Sequence, residues 1–199
     1  MKTPARRLLI LLSAWALAAG VAGGFQLIAH LPAPAVPLLV ASLSIGASVA
    51  AGRVGWLKEA IRGMGVREIL AAHSIRFVGF YFLWLYSQGR MPAEFAQRAG
   101  WGDVAAATGA LGLLFWPESA GFRRALFVWN IVGLLDLFLA LGTGAWVNVA
   151  RPGSMIEIAG LPLALVPLML VPVLIASHGE IFRRFARGDF PRAGAAARA

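Results

Sequence analysis

No cysteine occurs in these 199 residues. Disulfides, thiolate metal sites, iron–sulfur clusters and a cysteine nucleophile are therefore excluded. Lysine is almost absent: Lys2 and Lys58 both lie outside the long apolar stretches, so no lysine can form the mid-membrane Schiff base that a retinal protein needs. Charge is scarce, at 14% of residues against 59% hydrophobic, where ordinary globular domains carry about 25% charged residues. No His-Glu-x-x-His run, Gly-rich phosphate loop or Gly-x-Ser-x-Gly elbow is present. No acidic ring motif or filter sequence points to a channel. Ser42, Ser44 and Ser48 lack a basic partner in their own helix, and Asp136 is the only deep aspartate, which leaves intramembrane hydrolysis without support. The reading leans away from an enzyme.

What is present is a set of apolar stretches near 8–28, 35–56, 69–88, 102–116, 125–146 and 158–178. A helix crossing a bilayer takes about 20 residues, so six of them leave little chain for a soluble domain. Basic residues alternate between the linkers. Lys2, Arg6, Arg7, Arg53, Lys58, Arg62, Arg67, Arg123, Arg124, Arg183, Arg184, Arg187, Arg192 and Arg198 fall on one side. Only Arg90, Arg98 and Arg151 fall on the other, and Arg76 lies inside the third stretch. The positive-inside rule produces this pattern. The expectation is an all-α bundle of six transmembrane helices with both termini cytoplasmic. The bundle occupies 1–186, followed by a disordered tail over 187–199. The Ala/Gly/Arg-rich composition fits a bacterial inner membrane. The net charge of +9 is then an attraction to anionic inner-leaflet lipids, not a nucleic-acid footprint. Lys2, Arg6 and Arg7 before an apolar run imitate a signal peptide, but apolar character continues through Ile28, which favours a retained first helix.

Local signals refine the bundle. Trp56, Trp84, Trp101, Trp116 and Trp146 fall near predicted helix ends, as interfacial tryptophans do. The basic segment 57–66 reads as lying along the cytoplasmic surface. Pro92 to Gln97 reads as a short helix on the outer surface, and Asp103 as the N-cap of the fourth helix. Small residues at four-residue spacing (Ala16, Gly20, Gly24; Ser44, Ser48; Gly102, Ala106, Ala110) read as helix-packing stripes. Leu31-Pro32-x-x-x-Val36-Pro37-Leu38 is echoed by Leu161-Pro162-x-x-x-Val166-Pro167-Leu168, a short match in apolar sequence. Pro172 marks a kink in the last helix.

Ionisable groups within the membrane mark candidate sites. Arg76 lies about seven residues into the third stretch and Asp136 about eleven into the fifth. At 1.5 Å per residue their depths differ by about 6 Å, which an arginine side chain spans. An Arg76–Asp136 ion pair is therefore expected where helices three and five are neighbours. His73 and Asn130 lie at similar depth and, with Ser74, complete a polar cluster. Its functional reading is a ligand or proton site of a transporter-like protein, with His73 as the titrating group. Its structural reading is a clamp between helices. His73 with His178 is the one histidine pair at compatible depth for haem ligation; His30 ends the first helix on the other side. A haem- or quinone-binding redox subunit and a non-catalytic accessory subunit of a larger complex are the alternatives, and homo-oligomerisation is open.

Overall fold

A computed structural model describes residues 3–190. It is all-helical, with no strand among the described residues. α1 spans Thr3–Gly24, α2 Ala35–Arg53 and the short α3 Gly55–Arg62. α4 (Val66–Ala72) passes through a 3₁₀ stretch, His73–Val78, into α5 (Gly79–Ser87) as one continuous rod. α6 spans Ala93–Phe115 and α7 Ala120–Ala150. A π-helical turn, Val166–Leu170, leads into α8 (Val171–Arg187). Five rods are long and apolar enough to cross a membrane: Thr3–Gly24, Ala35–Arg53, Val66–Ser87, Ala120–Ala150 and Val166–Arg187. The protein is a polytopic helical membrane protein. The tail beyond Phe190, with Arg192 and Arg198, and Lys2 at the start lie outside the described residues.

The linkers group at two ends. At one end, Arg184 Nη2 donates to the Ile61 and Met64 carbonyls, both at 2.8 Å. Arg67 donates there to the Leu114 and Trp116 carbonyls, which satisfies the last turn of α6. At the opposite end, Arg90 meets Glu157, and Arg151 meets Glu94. Asn148 Nδ2 donates there to the Ala33 carbonyl at 2.7 Å. The linkers rich in arginine thus share one end and the sparsely charged ones the other. The segment after α2 is helical and amphipathic, with Leu57 and Ala60 buried.

Two boundaries differ from the sequence reading. Pro92 to Gln97 is not a separate surface helix, and Asp103 is not an N-cap. α6 runs unbroken from Ala93, with Pro92 at its N-cap and Glu94 in its first turn. Gly100 and Gly102 do not interrupt it, because both are contact points. A Cβ on Gly100 would lie 2.8 Å from Leu83 Cγ, and one on Gly102 would meet the Asp136 carboxylate. The last rod is shifted too. Residues 158–164 form turns and 3₁₀ structure, and the helix continues past His178 to Arg187. Glu180 sustains this extension by accepting from Arg183, Arg184 and Arg187, at i+3, i+4 and i+7.

The small-residue stripes behave differently from one another. Ala106 and Ala110 are buried on α6, and a Cβ on Gly109 would lie 2.8 Å from Trp129 Cδ1, so this stripe is a close helix contact. Gly20 and Gly24 have nothing within 4 Å and make no such contact. Pro172 leaves the Leu168 carbonyl, four residues earlier, without a backbone donor. Trp15 Nε1 of α1 donates to that carbonyl at 2.8 Å.

Candidate functional site

Arg76 is almost completely buried, at 1% exposure. The 3₁₀ stretch has three residues per turn, which brings residues i and i+3 to one side, and it carries both His73 and Arg76. The guanidinium reaches two further helices. Nε donates to Asp103 Oδ1 at 2.7 Å. Nη1 donates to the Gly133 carbonyl at 3.1 Å. Nη2 pairs with Asp136 Oδ2. One arginine therefore ties the α4–α5 rod to α6 and α7. The expected Arg76–Asp136 pair is present, and Asp103, assigned to a cap by sequence, is its second carboxylate. Asp103 is 7% exposed and lies well inside α6.

The two histidines lie on the arginine-rich side of Arg76. His73 and His178 are both fully buried, with ring centroids 4.6 Å apart in an edge arrangement. Trp129 packs against both rings. Hydrogen bonds assign the tautomers. Ser177 Oγ donates to the Leu174 carbonyl at 2.7 Å, so it accepts from His73 Nε2 at 2.9 Å. The proton of neutral His73 is then on Nε2, and Nδ1 is a lone pair with no partner. Asn130 Nδ2 donates to the His178 carbonyl at 3.2 Å, which makes its Oδ1 the acceptor for His178 Nδ1, at 2.8 Å. His178 Nε2 is then the second lone pair without a partner. A Cβ on Gly133 would lie 2.9 Å from His178 Cε1 and 3.4 Å from Arg76 Nη1. Glycine at 133 lets the histidine pair and the arginine cluster share one wall.

The structure thus brings together His73, Arg76, Asn130, Asp136 and His178, and adds Asp103, Gly133 and Ser177. Ser74 does not join them: its hydroxyl donates to the Ala71 carbonyl at 2.7 Å. His178 is not a helix-end residue but sits inside α8. The two imidazoles meet edge to face with centroids 4.6 Å apart, whereas haem ligands must stand on opposite faces of a macrocycle; this arrangement leaves no room for one between them. No group of three or more metal-ligating side chains occurs among the described residues.

On the other side of Arg76 lies a cavity of about 240 Å³. It extends from the loops at the sparsely charged end down to Asp103 and Leu137. Its wall is mostly apolar. Val36 and Pro37 of the first proline motif and Val166 and Pro167 of its echo all line it. Among the described residues Asp103 is its only ionisable side chain, with Asn148 nearer the loops. The order along the bundle is therefore cavity, carboxylates, Arg76, histidine pair, arginine-rich end.

The chain belongs to the family described as a domain of unknown function (DUF8737), whose model matches residues 33–186. The match covers α2 to α8, and with them every residue of the cluster, but not α1. No curated protein and no solved structure matches the chain.

Proposed function

We propose that this is a proton-linked, transporter-like membrane protein whose site is the Arg76–Asp103–Asp136 cluster. The observation that carries this reading is the charge balance of that cluster. Two carboxylates surround one guanidinium, so the ionised set has one net negative charge. A charge at this depth costs roughly 2.5–3.5 kcal/mol on insertion scales. Uptake of one proton, or of one cation, neutralises the set. The unused lone pairs of His73 and His178 lie on the arginine-rich side of the cluster, where each can accept a hydrogen bond.

The proposal includes sidedness. With α6 as a sixth crossing, both termini share the arginine-rich end, and the positive-inside rule puts that end in the cytoplasm. The composition suits a bacterial inner membrane, with the arginines facing anionic headgroups.

Infrared difference spectroscopy of the purified protein across a pH jump tests the proton. The expected result is a protonated-carboxyl band that disappears in Asp103→Asn or Asp136→Asn. Absence of any carboxylic-acid band over the range in which the protein stays folded would overturn the reading. If Arg76→Ala and Asp136→Ala both express normally and leave the pH response unchanged, the cluster is a helix clamp only.

A further inference from the structure

We propose that the cavity above Asp103 is a binding site for a small organic monocation: an apolar body the size of one ring with a single ammonium group. This rests on the proposed charge balance of the cluster and names the ligand class for it. Three observations converge. The first is the carboxylate itself. Asp103 Oδ1 is occupied by Arg76 Nε, but no hydrogen bond reaches Oδ2 among the described residues, although the residue is more than nine-tenths buried. The second is orientation. Asp103 lines the cavity and keeps 10% side-chain exposure, so its free oxygen faces the empty space. The third is size and character. A dry cavity of about 150 Å³ holds benzene, so 240 Å³ holds a ring and a short arm. The wall around it, from Phe82 and Phe95 to Val171, is apolar.

Charge decides between ligand classes. Among the cavity-lining side chains no cation occurs, and Arg76 lies behind Oδ1 with Asp136 on its far side. An anionic ligand would add a second uncompensated negative charge to the cluster. A neutral alcohol would leave the first in place. An ammonium donates to Oδ2 and brings the cluster to neutrality, which is the role otherwise filled by the proton. Asn148, already donating to the Ala33 carbonyl, presents its amide oxygen as a second acceptor near the loops.

The test uses the full-length protein in lipid nanodiscs, titrated by calorimetry with phenethylammonium, phenethyl alcohol and phenylacetate, with empty nanodiscs subtracted. The amine is expected to bind at least ten-fold tighter than the alcohol, and the carboxylate not at all. Asp103→Asn should remove the difference between amine and alcohol. Ala145→Phe, which fills the cavity and leaves the Arg76–Asp103 pair in place, should remove binding of both. Equal affinity for amine and alcohol, amine binding that survives both variants, or a signal no larger than that of empty nanodiscs would overturn the proposal. Repeating the titration in buffers of different ionisation enthalpy separates the two readings. Amine binding with one proton released supports both. Amine binding with no proton released keeps the ligand class and overturns the proton linkage.

Discussion

Asn130 holds His178 at two points, accepting from the imidazole Nδ1 at 2.8 Å and donating to the backbone carbonyl at 3.2 Å. Both residues are fully buried. The amide thus sets which imidazole nitrogen carries the proton and where the ring points. Asn130→Leu keeps the branched shape and removes both bonds, leaving the buried imidazole N–H without a partner, while the His178 carbonyl keeps its helical donor. The expected cost is about 1–3 kcal/mol, read as a lower melting temperature in detergent. A melting temperature equal to wild type would show that the amide does not hold the ring.

Arg76 has the largest expected effect. Removing one partner of a buried ion set strands the others, at a cost of about 3–5 kcal/mol. Arg76→Ala should therefore yield little folded protein. Arg76→Ala combined with Asp103→Asn and Asp136→Asn removes every formal charge of the set and should recover much of the yield. Monodisperse protein on size-exclusion chromatography is the measure. Recovery no better than the single variant would mean that geometry, not charge, is what Arg76 supplies.

Three glycines give a graded test of packing. Gly133→Ala presses a methyl against His178, and Gly102→Ala presses one against the Asp136 carboxylate. Each should destabilise by about 1–3 kcal/mol, the usual cost of overpacking. Gly20→Ala meets nothing within 4 Å and should leave melting unchanged or slightly raised, since alanine favours the helix. The rank order of the three melting temperatures is the readout. Loss of stability in Gly20→Ala equal to that in Gly133→Ala would contradict this assignment of contacts.

Arg184 links the arginine-rich linkers. Its side chain is buried against Glu180 and donates to the carbonyls of Ile61 and Met64. Arg184→Met keeps the stem and removes these donors. Limited proteolysis between α3 and α4 should then accelerate several-fold, while the cluster around Arg76 keeps its infrared signature. Unchanged cleavage would show that the α3–α4 turn is held by other contacts.

Depth arithmetic made the Arg76–Asp136 pair legible, because a helix converts sequence position directly into height. Asp103 was hidden by Trp101 and Gly102. A tryptophan beside a glycine resembles an interfacial boundary, whereas here the glycine is the point where the Asp136 carboxylate approaches α6. Once α6 is extended back to Ala93, the same arithmetic places Asp103 deep in the bundle. The pairing of His178 with His73 was legible by depth, but its place inside α8 was not, since Gly179 and the charges that follow resemble a helix end. The three arginines on Glu180 leave its buried carboxylate fully paired, and α8 continues through that polar turn. The proline echo, weak as a sequence match, ends on one cavity wall from two helices. The unoccupied oxygen of Asp103 had no sequence signal at all, because which lone pair stays free depends on three-dimensional approach.

Trp15 occupies a position with mechanical meaning. Its indole stands in for the backbone donor that Pro172 lacks. α1, which lies outside the family match, is thereby hooked to the π-helical turn that leads into α8. Any straightening or tightening of that turn must either break the hook or pull α1 with it. The first helix is in this sense a follower of the last, and the Trp15 indole is its native gauge.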